Sequence, residues 1–139
     1  MNEDKHFDAR KALLLPVNSQ GQLFIQDRRG HKPPDWGFFG GSIEGEETPL
    51  EAVIRESKEE LCIDLHESNL TYLGTSETDW DGFSIIRYLY LYRTDQKEFD
   101  VREGKGGYWL TFDEARERMD DKDRFDEVVA RIRTATISP

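Results

Sequence analysis

Runs of apolar residues bounded by turn residues give the first indication of how the chain is organised. Aliphatic, β-branched and aromatic residues predict strands at Ala9–Val17, Leu23–Arg28, Leu70–Thr75 and Ser84–Arg93, with a short fifth strand at Tyr108–Leu110. The turn sequence Asn18–Gly21 predicts that the first two strands form a hairpin, and Thr78–Gly82 is the predicted loop of a second hairpin. Two prolines and a glycine within Gly30–Asp35 predict a loop.

The stretch that follows this loop has the start signal and the spacing of a helix. Thr48 is placed to cap it, Pro49 suits its first turn, and Glu51 completes a capping box. Beyond the cap, Leu50, Val53, Ile54, Ser57 and Leu61 follow one another at helical spacing. All of them except Ser57 are apolar. The pattern predicts a helix that buries one side against a core.

Two more helices are predicted near the end of the sequence. Thr111 and Glu114 form a second capping box, which precedes predicted helices at Phe112–Met119 and Arg124–Ile132. Strands, a central helix, more strands and terminal helices indicate an α/β (α+β) sandwich with a mixed β-sheet. The 139 residues suit a single domain spanning residues 1–139.

Charge and cysteine content narrow the classes of function. The net charge of −10 argues against binding a nucleic-acid polymer, whose phosphates would be repelled, but a bound cation can reverse the local field for a small phosphorylated substrate. No apolar run approaches the roughly 20 residues that cross a bilayer. Cys62 is the single cysteine, which suits a reducing cytoplasm, and its apolar neighbours predict a buried thiol.

Three carboxylates are predicted to share one face of the central helix, away from its apolar stripe. Glu56, Glu59 and Glu60 have the i, i+3, i+4 spacing that brings neighbouring Cβ atoms to about 5–6 Å. Such oxygen ligands suit Mg²⁺ or Mn²⁺, although three glutamates on a helix also describe an ordinary solvated face. Glu47 and Arg55 carry opposite charges and are expected to pair, which would pin the loop to the helix.

The complete pattern resembles the signature of the Nudix hydrolases, G-x5-E-x7-R-E-U-x-E-E-x-G-U, in which U is a bulky apolar residue. Every charged position of that signature is matched here, by Glu47, Arg55-Glu56 and Glu59-Glu60, and its first and last positions are matched by Gly41 and Ile63. Ser57 replaces an apolar residue and Cys62 replaces the second glycine, so looser helix packing and a hindered left-handed helix exit are expected. Phe39 stands where many members have proline.

The resemblance implies a MutT-like α/β/α sandwich that hydrolyses a nucleoside diphosphate linked to another moiety. By analogy with the family, metal would be bound by Glu56, Glu59, Glu60 and the Gly40 carbonyl, and Arg55 would belong to the catalytic group. Glu56 is the first candidate for the general base and Glu59 the second. Gly41 and Glu47 would have structural roles within the motif.

A fourth carboxylate is implied by the MutT-type branch, in which a glutamate lies six residues before a tryptophan. Glu103 has that relation to Trp109, with Glu98 and Asp100 as rivals. Arg28 and Arg29, near the motif loop, are candidate phosphate-binding residues, and the ring of Phe39 is a candidate for stacking on a base, although core packing is the commoner role of such rings.

The substrate is the least determined part of this prediction. A nucleoside triphosphate, including an oxidised one, is favoured by elimination, because signatures of several other Nudix branches are missing; no proline, for example, occurs between Pro49 and Pro139. A nucleoside diphosphate sugar is the main alternative, and a non-catalytic nucleotide-binding Nudix module is another. A homodimer is expected only by analogy with the family.

Overall fold

The computed structural model describes residues 7–31, 33–102 and 104–137. Within this part of the chain the elements are β1 (Ala9–Val17), β2 (Gln22–Asp27), β3 (Trp36–Gly37), β4 (Phe39–Ser42), α1 (Pro49–Leu61), β5 (Leu70–Trp80), β6 (Phe83–Arg93), β7 (Gly107–Thr111), α2 (Phe112–Arg118) and α3 (Lys122–Ile137). No helix in these ranges is both long and apolar enough to cross a membrane.

Strand β1 lies at the centre of a mixed sheet. It runs parallel to β6 over its whole length, from Ala9 opposite Ile85 to Val17 opposite Arg93. Its other edge is shared, because β4 pairs antiparallel with the first half of β1 while β2 meets it only at Val17. The predicted first hairpin is therefore limited to the end of the two strands, and β2 instead pairs along its length with β7.

Helices cover both faces of this sheet, because alternate strand residues point to opposite sides. On one face, α1 closes a core that contains Ala12, Leu14, Phe24, Phe39, Val53 and Leu61. On the other face, α2 and α3 close a core that contains Leu13, Leu15, Leu89, Leu91, Val128 and Ile132. The predicted α/β/α sandwich with a mixed sheet is confirmed.

The predicted loop at Thr78–Gly82 is wrong. β5 continues to Trp80 and pairs with β6 up to Phe83, so only Asp81 and Gly82 form the turn. Both turn residues have positive φ, 53° and 80°, as a two-residue hairpin requires. The end of β5 has polar side chains, so a search for apolar residues did not predict a strand there. Backbone pairing with β6 nevertheless continues the strand.

The start of α1 is as predicted and its end is not. The Thr48 hydroxyl accepts a hydrogen bond from the Glu51 amide, and the Glu51 side chain bonds back to the Thr48 amide, which confirms the capping box. Cys62, however, adopts the left-handed conformation with φ 55° and ψ 37°, and it is exposed. The expectation of a buried thiol is therefore wrong. The helix does exit through a left-handed residue, and the steric cost of that conformation for a residue with a β-carbon still applies.

Candidate active site

The two glycines of β4 bring the backbone into direct contact with α1 and β1. Gly40 has a φ of 132°, and a β-carbon there would meet the carbonyl oxygen of Ala12. Gly41 has no such backbone requirement, but a β-carbon on it would lie 2.5 Å from Oε1 of Glu56. Each glycine thus leaves room for a specific neighbour, and at Gly41 that neighbour is a carboxylate of the motif.

Arg55 connects the motif loop to the helix. Its Nε and Nη2 donate to the two carboxylate oxygens of Glu47 at 2.7 and 2.9 Å, so the predicted ion pair is present and bidentate. Nη2 also donates to the carbonyl of Ser42, at 3.0 Å. The remaining nitrogen, Nη1, donates to Oε1 of Glu56 at 3.0 Å and to Oε1 of Glu59 at 2.9 Å. One guanidinium therefore fixes the positions of three carboxylates and of the end of β4 relative to one another.

The electrostatics of this cluster favour fully charged partners. Hydrogen bonds from Arg55, with a further one from the Glu44 amide, lower the pKa of Glu47 from its usual 4.5 to about 2. The same hydrogen bond with Glu47, followed by those to Glu56 and Glu59, raises the pKa of Arg55. Arg55 and Glu47 consequently keep their charges throughout the neutral and mildly acidic range.

Glu60 does not lie on the open face with the other two glutamates, contrary to the prediction from spacing. Its side chain is buried, and Oε1 accepts a hydrogen bond of 2.8 Å from the Gly40 amide. The reason is visible in the sequence, because Val53, Ser57 and Glu60 are at i, i+4 and i+7 and so share the buried stripe. Glu60 ties α1 to the glycine pair.

Glu56 and Glu59 are the carboxylates that open onto solvent beside β4. The side chain of Glu56 is 17% exposed and that of Glu59 is 53% exposed. Within the described ranges, no three acidic, histidine or cysteine side chains are gathered closely enough to hold a metal ion as they stand. Oxygens of Glu56 and Glu59 nonetheless converge on the single nitrogen Nη1 of Arg55, which shows that both can face one cation. This hard-oxygen donor pair fits Mg²⁺ or Mn²⁺.

The segment that was predicted to supply a further carboxylate reaches the end of α1. The amide of Arg102 donates to the backbone carbonyl of Glu60 at 2.8 Å, and Arg102 pairs with Asp100. The loop is thus anchored beside the helix that carries the motif acids. Glu103, the predicted fourth ligand, lies outside the described residues.

The three predicted substrate-binding residues differ in their surroundings. Phe39 is 1% exposed and stacks on Phe24 with ring centroids 5.2 Å apart, which favours core packing over contact with a base. Arg29 makes a two-nitrogen contact with the carboxylate of Asp27, which lowers the pKa of that acid to about 2. Arg28 instead has a buried Nε with no hydrogen-bond partner among the described residues.

Other basic residues, which sequence reasoning did not single out, face the α3 side of the sheet. They are Lys11 on β1, Arg87 on β6 and Arg124 in the first turn of α3. The signal was present in the strand alternation, since Lys11 precedes Leu13 and Leu15 at a spacing of two, and Arg87 precedes Leu89 and Leu91 in the same way.

Comparison with known proteins agrees with the motif. The family described as NUDIX domain matches residues 8–131. The chain belongs to the Nudix family. The fold is shared with the dihydroneopterin triphosphate pyrophosphohydrolase of E. coli, at a TM-score of 0.71 and 19% identity over 87% of this chain and 94% of the other.

Two relatives show what kinds of Nudix protein the sequence is similar to. One is the dihydroneopterin triphosphate diphosphatase of Escherichia coli (strain K12), 30% identical over 90 residues, or 63% of this chain and 60% of that protein. The other is the 8-oxo-dGTP diphosphatase of Proteus vulgaris, 30% identical over 89 residues, or 63% of this chain and 78% of that protein. The chain therefore spans only about 60% of the length of the first relative.

Proposed function

We propose that this Nudix protein hydrolyses the pyrophosphate bond of a nucleoside diphosphate linked to another moiety, with a nucleoside triphosphate as the first substrate class. The observation that carries the proposal is the convergence of Glu56 and Glu59 on one point beside Gly41, held there by Arg55. The names of the relatives, both diphosphatases, support the same class of reaction.

A divalent cation is part of this proposal. Glu56 and Glu59 would hold Mg²⁺ or Mn²⁺, which when bound would withdraw charge from the phosphoryl oxygens of the substrate. Glu60, the Gly40 carbonyl and Glu103 remain predicted further ligands. Glu60, being buried and bonded to the Gly40 amide, would fix the position of the glycine pair.

The protein groups have separable roles in this reaction. Glu56 is the proposed base that accepts a proton from the attacking water, with Glu59 as the second candidate. Arg55 keeps both carboxylates aligned through Nη1 while its other nitrogens are held by Glu47 and the Ser42 carbonyl. Since positioning errors of about 1 Å can cost a hundredfold in rate, this bracing is expected to matter for turnover.

A panel of nucleotides tests the proposal. Nucleoside triphosphates, including oxidised ones, and nucleoside diphosphate sugars would be incubated with the protein and Mg²⁺ or Mn²⁺, and the products separated by ion-exchange chromatography. We expect Glu56→Gln and Glu59→Gln to lose turnover while the exposed loop variant Glu46→Gln retains it. Undiminished hydrolysis in excess chelator would disprove the metal requirement, and nucleotide binding without turnover would favour a non-catalytic module.

Three further expectations belong to the proposal. We propose that residues 1–139 form one Nudix domain, that the protein works in the cytoplasm, and that it forms a homodimer. Sedimentation velocity tests the last of these directly, since a single species at the mass of one chain, 16.2 kDa, would contradict it.

A further inference from the structure

Four basic side chains influence one another electrostatically, and three of them, on β1, β6 and α3, lie on the α3 side of the sheet. They are Lys11, Arg28, Arg87 and Arg124, and we refer to them as the cationic cluster. Lys11 and Arg87 are direct register partners on the adjacent parallel strands β1 and β6. Arg124 reaches the same face from the first turn of α3, and its side chain is only 21% exposed. Three different elements therefore bring positive charge to one partly buried region.

Neighbouring acids do not neutralise this charge. Among the described residues, no carboxylate forms an ion pair with Lys11, Arg28 or Arg87. Arg87 donates to a neutral acceptor, the Thr78 hydroxyl, at 2.8 Å. Asp121 lies 3.8 Å from Arg124 and is the nearest compensating acid.

Glu127, the other acid on this side, is already engaged. Its Oε1 accepts a 2.6 Å hydrogen bond from Ser76, and its Oε2 lies 3.9 Å from Arg131. Among the described residues, the four cations of the cluster thus face two nearby acids, Asp121 and Glu127, and burying positive charge without a counter-ion is unfavourable.

The titration behaviour agrees with this geometry. Burial is the main cause that lowers the pKa of Lys11, followed by repulsion from Arg87, Arg28 and Arg124. Burial and repulsion from Arg124 likewise lower the pKa of Arg87, to about 10. Lys11 and Arg87 are thus less favourable as cations because of their basic neighbours, which is a situation that an anionic ligand relieves.

The cationic cluster is connected to the motif site through the sheet. Ser42 on β4, Lys11 on β1 and Arg87 on β6 are consecutive register partners across three adjacent strands. The carbonyl of Ser42 is held by Arg55, the residue that also aligns Glu56 and Glu59. With strands about 4.8 Å apart, the backbone of Arg87 lies about 10 Å from that of Ser42. Because Glu56 lies on the α1 face and Lys11 on the α3 face, a substrate that contacts both has to pass the end of β4 at Ser42.

We propose that the cationic cluster binds a second anionic group of the substrate, a phosphate or carboxylate on the far side of the molecule from the hydrolysed pyrophosphate. Arg28, with its unpartnered Nε, and Lys11 would donate to the anion directly, and Arg87 and Arg124 would complete its charge balance. This inference rests on the proposed function, because the pyrophosphate must occupy the motif site for the second group to reach the cluster.

Inorganic phosphate is the first probe of the cationic cluster. The melting temperature of the whole protein would be followed against phosphate concentration, in excess chelator and at constant ionic strength with chloride. We expect a saturable rise for the unmodified protein that Lys11→Met abolishes, because methionine retains the stem of lysine without its charge. Arg124→Gln serves as a second variant, and Lys58→Met, which alters an exposed lysine, is the matched control and should retain the rise.

The substrate preference is the second probe. A nucleoside triphosphate would be compared with the same compound bearing an additional 3′-phosphate, and we expect kcat/KM to be about tenfold higher for the latter, as one charge-assisted contact provides. Lys11→Met should remove this preference. A phosphate response unchanged by Lys11→Met, no saturable response at all, or equal kcat/KM for the two compounds would overturn the inference while leaving hydrolysis intact. Phosphate binding without hydrolysis of any nucleotide would instead refute the proposed function, and with it the assignment of the bound anion to a substrate.

Discussion

Replacement of Gly41 by alanine is a direct test of the position of Glu56. The backbone of Gly41 does not have positive φ, so alanine is compatible with the conformation of β4. The new β-carbon would nevertheless lie 2.5, 2.6 and 2.8 Å from Oε1, Cδ and Oε2 of Glu56. The substitution therefore acts on this carboxylate rather than on the strand.

The size of the effect follows from these distances. Ordinary contact requires at least 3.4 Å, so the carboxylate of Glu56 must withdraw by about 1 Å or adopt another rotamer. A displacement of about 1 Å in a catalytic group costs on the order of a hundredfold in rate. Because the side chain is near solvent and can rotate, the free energy of unfolding should fall by only about 1 kcal/mol, within the range of ordinary single substitutions.

The assay combines turnover and stability. kcat and KM would be measured with the best nucleotide of the panel, and unfolding would be followed by circular dichroism in urea. Gly21→Ala is the matched control, because Gly21 has a φ of 75° and open space around it, so alanine there strains the backbone without touching the site. We expect Gly41→Ala to lose turnover at nearly unchanged stability and Gly21→Ala to lose stability at unchanged turnover. A Gly41→Ala protein with kcat within about threefold of the original would refute the assigned role of Glu56.

Three other predictions concern the same helix and loop. Arg55 lowers the pKa of Glu47 from 4.5 to about 2, so the stabilisation from this pair is complete above pH 4.5 and is lost as the pH falls toward 2. Glu47→Gln should therefore make the melting temperature less dependent on pH between those two values. Ser57→Ala should be neutral or stabilise the protein by about 1 kcal/mol in urea titrations, because the buried Ser57 hydroxyl has no hydrogen-bond partner among the described residues; clear destabilisation would contradict this. Thr48→Ala should lower the free energy of unfolding by about 1 kcal/mol through loss of the helix cap, and no change would contradict the capping role.

Local signals explain what could be predicted from the sequence. The capping residues of α1 and the continuous apolar run of β1 specify these elements through contacts within a few residues, so the start of α1 and both bounds of β1 were predicted correctly. The pair between Glu47 and Arg55 was also predictable, since it joins a loop to the adjacent helix.

Features that depend on distant strands were not predictable in this way. The burial of Glu60 depends on the Gly40 amide, which β4 presents only after it pairs with β1. The cationic cluster likewise depends on the parallel register of β1 and β6, so no local pattern connects Lys11 to Arg87. In both cases the sequence signal was a charged residue at a position that helix or strand periodicity directs toward the core. Such a residue indicated a candidate site and did not mean that the periodicity had been assigned wrongly.

The parallel pairing of β1 with β6 has a consequence for synthesis of the protein. Ala9 pairs with Ile85, so β1 leaves the ribosome well before its parallel partner, which is made 76 residues later. At 5–20 residues per second this delay is about 4–15 s. During that time the apolar residues of β1 have no neighbour on one edge, and a nascent chain that stops before Arg93 cannot complete the centre of its sheet. The strand at the centre of the finished sheet is thus without its parallel partner until about two thirds of these residues have been made.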